Sequence, residues 1–368
     1  MLEMKFSGFL YVFAIALYLL KSATCKDALP AKRFKVNLDA DPLERWEPVL
    51  KNFDASLLQD VMDTLLKEYV KNKELIALAE VIGKDLDRYF PYPYGDEIRG
   101  ISNFYNMKLG DLVLGNLAYD LSAWNSNRFK GRACTSIVTV DENGGLIHAR
   151  NLDYVVGDEL RNIIAEIEFH KNGETVFIGT TYVGYVGLLT AAKPNKFSLT
   201  GDQRNTGFLW ENILAALEKS WPTMLMAREV ITNAENYESA IEMLQNAKTI
   251  APMYFIVGGL KPQEGAIVVR DRWGAVNVTR MIDTSHKWFV VETNYDPWKP
   301  PPPTDDRRDA AVKSMNEFGQ DKMNPDNLYK VMSTPPVFNS ETTYTTVMSA
   351  ANMSLYHTMI RWDHPTEN

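Results

Sequence analysis

Cysteine is nearly absent from this 368-residue chain, which carries two, Cys25 and Cys134. Cys25 sits at the end of an N-terminal apolar stretch, so no disulfide framework can be drawn and Cys134 is left as a lone thiol. Histidine is scarce as well. His148, His170, His286, His357 and His364 show no close i, i+3 or i, i+4 pairing with one another or with a second cysteine, and no metal site is expected. Basic residues do not dominate: 39 Lys and Arg face 47 Asp and Glu, for a net charge of -8. They are scattered along the chain, which disfavours nucleic acid as a partner. The sequence contains no phosphate loop, no dinucleotide fingerprint and no serine nucleophile elbow, so no cofactor is expected. It has no internal repeat and no low-complexity segment.

What is present begins with a secretory signal. Lys5 supplies a positive flank, Phe9 to Leu20 is apolar, and Ser22-Ala23-Thr24-Cys25 offers small residues for cleavage, which marks residues 1–25 as a signal peptide. The apolar run is shorter than the ~20 residues of a spanning helix. From Ala28 to about Leu117 the pattern is mostly helical. Ser56 and Gln59 suggest a capping box, and Leu57, Leu58, Val61, Met62, Leu65, Leu66 and Tyr69 follow on one face. A second helix is expected over Leu75 to Phe90 and a short one over Gly110 to Leu117.

At Cys134 the period changes to that of strands, over Thr135 to Val140, Leu146 to Arg150, Ile164 to His170 and Thr175 to Thr181. Helices are expected at Glu211 to Lys219, Met224 to Asn233 and Tyr237 to Asn246. Strands follow at Met253 to Val257, Gly265 to Arg270 and Trp288 to Thr293. This order points to an α+β fold of antiparallel sheets flanked by helices. Asn277-Val278-Thr279 and Asn352-Met353-Ser354 are glycosylation acceptors if the chain is secreted.

On residue type alone Cys134 reads as a buried, inert thiol more readily than as a reactive one. Arg150-Asn151-Leu152-Asp153 puts a cation and a carboxylate at the end of a neighbouring strand; the cation can lower a thiol pKa and the carboxylate can hold an amine. A surface turn would look the same.

Cys134-Thr135-Ser136-Ile137-Val138, Arg150-Asn151-Leu152-Asp153-Tyr154, Gly184-Tyr185-Val186-Gly187-Leu188, Glu292-Thr293-Asn294-Tyr295-Asp296 and Asp305-Asp306-Arg307-Arg308 closely resemble the acid ceramidase and N-acylethanolamine acid amidase family. The resemblance runs from about Phe34 to the C-terminus and includes Asp96-Glu97-Ile98-Arg99-Gly100. It implies the αββα sandwich of N-terminal nucleophile hydrolases and a cut between Ala133 and Cys134. An α-subunit, residues 26–133, mostly helical, would then pair with a catalytic β-subunit, residues 134–368. It also implies roles: Cys134 as nucleophile, Asp153 holding its new amine, Arg150 beside the thiolate, Asn294 donating to the oxyanion, and Arg307 orienting the group.

Where the family usually has Glu-Arg, this chain has Gln203-Arg204, an amide that hydrogen-bonds without ionising. The segment Trp124 to Arg132 is longer than usual. Thr206-Gly207-Phe208-Leu209-Trp210-Glu211-Asn212 and Gly201-Asp202 look closer to the N-acylethanolamine branch, and the extra cysteines of acid ceramidases are missing. The expectation is a self-cleaving amidase, lysosomal or alternatively secreted, that releases fatty acid and ethanolamine. Tyr154, Tyr185, Leu188, Gln203 and Trp210 are candidates for the substrate groove, and the α-subunit for transient membrane-surface contact. The rival readings are a ceramidase and a non-catalytic lipid-binding protein.

Overall fold

The computed structural model describes residues 27–69, 85–124, 134–154, 156–303 and 305–365. The signal segment with Cys25, most of the helix expected over Leu75 to Phe90, residues 125–132 of the segment before the cut, and Ala133 lie outside these residues.

Two sheets form the centre. The first has six strands: β1 (Leu29–Pro30), β14 (His357–Ile360), β13 (Thr342–Met348), β4 (Leu146–Asp153), β3 (Cys134–Val140) and β12 (Phe289–Glu292), in that spatial order. The second has eight, in the order β11 (Gly274–Arg280), β10 (Gly265–Asp271), β9 (Met253–Gly258), β8 (Phe197–Gln203), β7 (Thr190–Lys193), β6 (Glu174–Tyr182), β5 (Ile164–Lys171) and β2 (Lys32–Asn37). Neighbours pair antiparallel except β2 with β5.

Strand β3 shows why the layers stack. Every residue of Cys134–Val140 is buried, because its two faces enter two different cores. Val138 and Val140 pack with Ile256 and Ile267 of the second sheet. Ile137, pointing the other way, packs with Ala311 and Met315 of α10 (Arg307–Phe318) and with Leu328 and Val331 of α11 (Pro325–Met332). The far face of the second sheet is covered by α8 (Thr223–Asn233) and α9 (Tyr237–Asn246). The result is the αββα sandwich, an α+β fold.

The N-terminal segment is less uniformly helical than expected. Lys32-Arg33-Phe34-Lys35-Val36-Asn37 alternates charged and apolar residues with period two and adds β2 as an edge strand. After α1 (Glu47–Leu50) comes α2 (Ala55–Tyr69), and Asp54, not Ser56, caps it: Asp54 Oδ1 accepts from the Ser56 N–H at 2.9 Å. Gln59 reaches forward to Asp63 instead of back to a cap. Then come α3 (Leu86–Tyr89), α4 (Tyr94–Tyr105) and α5 (Leu109–Asn116). The Asp96 to Gly100 motif is a structural clasp between segments. Glu97 is wholly buried and accepts from Arg45 and Trp46 of the N-terminal segment and from Arg228 of α8. A Cβ on Gly100 would lie 2.1 Å from the Leu43 carbonyl oxygen, so only glycine fits.

Candidate active site

Cys134 is the first residue of β3, 7% exposed, and opens on an apolar cleft that is partly continuous with solvent. Val61, Met62 and Leu65 of α2 form one wall, and Leu152, Leu160, Ile163 and Tyr182 another. Asp153 is the one ionised-type carboxyl among the lining residues.

Register explains the grouping. Cys134 sits opposite Leu152, and Ser136 opposite Arg150 on one side and Glu292 on the other. Alternation then turns Cys134, Ser136, Arg150 and Glu292 to the same inter-sheet layer. Just past the end of β12, Asn294 reaches the start of β3: its Oδ1 accepts from the Cys134 N–H at 2.7 Å, and its Nδ2 donates to the Gln203 carbonyl at 2.8 Å. Both bonds, with Arg307 Nη2 donating to the same Oδ1 at 3.0 Å, fix which way the amide faces. Arg307 also donates to the Cys134 carbonyl at 2.6 Å and is itself forked onto Asp305 at 2.8 and 2.6 Å.

In the intact chain the Cys134 amide N–H is held by Asn294, while the free amine that the resemblance assigns to Asp153 would exist only after a cut. Asp153 Oδ2 accepts from Asn339 Nδ2 at 2.9 Å, and its buried Oδ1 has no hydrogen-bond partner among the described residues. An ionised Asp153 thus keeps an acceptor in reserve near the Cys134 sulfur. Burial pushes its carboxyl up to about 6, against the pull of Arg307. Burial likewise pushes the Cys134 thiol up to about 11, with Arg150 lowering it and Asp202 and Asp153 raising it. The sulfur therefore stays protonated at acid and neutral pH.

The tentative groove residues divide. Tyr154, Tyr185 and Gln203 line the cleft. Leu188 does not: it is 2% exposed and packs over Gly179 in the core, and Leu189 faces the cleft in its place. The turn at Gly184, with φ of 92°, resets the alternation that a strand pattern would have continued. Trp210 lies outside it, 59% exposed, its ring stacked with Phe208 on α7 (Leu209–Leu217). Gln203 Nε2 donates to Asn205 Oδ1 at 2.7 Å. Sequence reasoning missed Asp305, although it stood in the quoted Asp-Asp-Arg-Arg run, and missed Ser136, Asp202 and Asn339. Asn277 and Asn352 are both exposed. Among the described residues no group of three His, Cys, Asp or Glu side chains could hold a metal ion, and no helix is long and apolar enough to cross a membrane.

A thiol at the first position of a central strand, in a two-sheet sandwich flanked by helices, defines the class of N-terminal nucleophile amide hydrolases. The model of the linear amide C–N hydrolases, choloylglycine hydrolase family, matches residues 134–323 and so begins at Cys134 itself. A second, described as the beta subunit of N-acylethanolamine-hydrolyzing acid amidase, matches residues 30–90, which the sequence reading labels α. The chain is 43% identical over 329 residues to the N-acylethanolamine-hydrolyzing acid amidase of Mus musculus, spanning 89% of this chain and 88% of that one. It is 34% identical over 339 residues to the acid ceramidase of Mus musculus, spanning 87% and 84%. The solved structure of the Caenorhabditis elegans N-acylethanolamine-hydrolyzing acid amidase ortholog superposes with a TM-score of 0.55 at 34% identity, covering 60% of this chain and 95% of that one. The chain belongs to the N-acylethanolamine-hydrolyzing acid amidase and acid ceramidase family. It is an amide hydrolase, which sets aside the reading as a non-catalytic lipid carrier.

Proposed function

We propose that this protein is a self-cleaving amidase that hydrolyses N-acylethanolamines to a fatty acid and ethanolamine, with Cys134 as the nucleophile. The observation that carries the reading is the placement of Cys134 at the mouth of an apolar cleft, with its backbone nitrogen and carbonyl both held by side chains. An acyl chain suits walls that offer almost no polar atoms; a neutral amide suits a cleft whose one carboxyl sits beside the sulfur.

The raised thiol pKa makes a proton acceptor necessary. In the uncut chain the Cys134 nitrogen is an amide and cannot take a proton. Self-cleavage changes that. The sulfur attacks the Ala133 carbonyl carbon, the acyl group moves from nitrogen to sulfur, and water hydrolyses the thioester to leave a carboxylate on Ala133 and a free amine on Cys134. With an unperturbed pKa of roughly 8, that amine can accept the thiol proton as sulfur attacks the substrate carbonyl. It then hands the proton to the departing amine. Asn294 Oδ1 already holds this nitrogen, and Asp153 Oδ1 is the reserve acceptor for the charge it gains. One Asn294 Nδ2 hydrogen is engaged with Gln203, which leaves the other for the tetrahedral oxyanion. Arg307 fixes the Cys134 carbonyl and Asn294 together. Water then cleaves the acyl thioester to the fatty acid.

We assign the mature molecule to two subunits, residues 26–133 and 134–368, and to an acidic compartment of the secretory route, with glycans at Asn277 and Asn352. Contact with lipid surfaces is placed on the N-terminal segment because α2 walls the cleft.

The test is N-terminal sequencing after incubation at acid pH, with hydrolysis of palmitoylethanolamide and of a medium-chain ceramide measured side by side. The expected fragment begins Cys134-Thr135-Ser136, and the ethanolamide is the better substrate. A Cys134→Ala chain should neither cut itself nor hydrolyse either amide. Retained activity in that variant sinks the mechanism, and a preference for ceramide overturns the substrate.

A further inference from the structure

Beneath the nucleophile runs a file of buried hydrogen bonds that the proposed chemistry leaves unused. His148 Nδ1 faces Ser198 Oγ at 2.9 Å, and its Nε2 faces Thr200 Oγ1 at 3.1 Å. Thr200 Oγ1 donates to Ser136 Oγ at 2.8 Å, and Ser136 Oγ donates to Asp202 Oδ1 at 2.9 Å. The direction is forced. Thr200 spends its proton on Ser136, so it accepts from His148, which carries its proton on Nε2; the neutral ring then accepts at Nδ1 from the Ser198 hydroxyl, whose second acceptor within reach is the Gly258 carbonyl at 3.3 Å. Burial holds His148 neutral, its pKa lowered to about 3. All five side chains are 3% exposed or less. Every dipole therefore points at one oxygen of Asp202.

That same oxygen accepts from Arg150 Nη2 at 3.2 Å. Asp202 is not needed to keep Arg150 in place, since the guanidinium also donates to Leu189 O, Thr190 Oγ1 and Gly201 O, each at 3.0 Å. Its effect on Arg150 is one of charge. The other oxygen, Oδ2, is buried with no hydrogen-bond partner among the described residues. The groups that face Asp202 are Arg150 and Cys134 from the opposite sheet, Glu292 beyond Ser136, Tyr254 beside it on β9, and Asp153, Arg307 and Tyr119 at the cleft end.

We propose that Asp202 is a positioning residue that acts through Arg150: by holding or releasing one proton, it sets how much of the Arg150 charge the Cys134 sulfur feels. Ionised, Asp202 offsets Arg150 and the thiol keeps its proton. Protonated, it leaves Arg150 unopposed and favours the thiolate. Burial raises the Asp202 carboxyl to about 7, so this exchange falls between neutral and acid pH. Acidification thereby lowers the thiol pKa and offsets part of the thiolate that the falling pH removes. The inference rests on Cys134 being the nucleophile.

The experiment uses the full chain with Cys25→Ser, which leaves Cys134 as the single thiol, and follows its alkylation by iodoacetamide from pH 5 to 9 by mass spectrometry. Asp202→Asn keeps an acceptor for Ser136 and Arg150 but cannot ionise. It should react about tenfold faster than the parent at pH 8, corresponding to one pKa unit, and converge with the parent at pH 5. Asp202→Glu should restore the gap. Ser136→Ala, which removes one donor from the carboxylate, should react about threefold faster at pH 7, and it decides the question alone if the Asn variant does not fold. A ratio that does not change with pH, or no acceleration in either variant, overturns the proposal. Hydrolysis by Cys134→Ala, measured in parallel, reports separately on the nucleophile.

Discussion

Asp120 gives a prediction that the structure lets us work through. It lies in the N-terminal segment, is wholly buried, and its Oδ1 accepts from the Thr223 N–H at 3.0 Å and the Thr223 hydroxyl at 2.6 Å, at the start of α8. Its Oδ2 has no hydrogen-bond partner among the described residues. Burial outweighs the two donors and raises the carboxyl from an ordinary 3.8 to about 7. A carboxyl whose folded pKa is raised contributes stability that is fully present below its unfolded value and lost as pH rises through the folded one. From pH 5 to pH 8 this single proton accounts for a loss of roughly 2–3 kcal/mol, or about 3–4 °C in melting temperature for a chain of this length. Asp120→Asn keeps the acceptor for Thr223 and removes the titration. Its added N–H costs something at every pH, so the readout is the slope and not the absolute midpoint. Calorimetric scans at pH 5, 6, 7 and 8, in a Cys134→Ala background that removes the proposed self-cleavage, should show the parent losing about 3–4 °C more than the Asp120→Asn variant. Equal slopes would refute the argument.

The other predictions concern the Glu97 clasp and the cleft. Glu97→Ala leaves the Arg228 guanidinium buried without its carboxylate, and denaturant melts should show a loss of about 3–5 kcal/mol. Asn294→Ala removes the anchor of the Cys134 nitrogen and the proposed oxyanion donor, so kcat should fall about 100-fold or more with KM little changed. Met62→Glu puts a charge into the apolar wall and should raise KM at least about tenfold, leaving Cys134 alkylation as it was; an unchanged KM would place the acyl chain elsewhere.

Much of this was legible along the chain. The strands from Cys134 to Thr181 and the three helices between 209 and 246 fall within a few residues of the periodicity reading, because those segments are apolar at regular intervals. Strands β7 and β8 were not, since Thr190–Lys193 and Phe197–Gln203 carry threonine, serine, lysine and glycine that read as loop. Their polar side chains are buried only because another sheet supplies partners for them, as Ser198 and Thr200 find in His148. β2 was hidden for the opposite reason: its partner β5 lies more than 100 residues away.

The sequence by itself determined the chemistry that is possible: one thiol at the start of an apolar strand, an Arg-Asn-Leu-Asp end to the next, and the motifs that carry the family. Those are local facts of residue type and spacing. Tertiary structure decided which groups meet. It placed Asn294 on the Cys134 amide N–H, sent Trp210 to the surface and Leu188 to the core, and brought Asp202 across the inter-sheet layer to Arg150. Those outcomes depend on strand register and sheet stacking, which join residues tens to more than a hundred positions apart and leave no period in the chain to read.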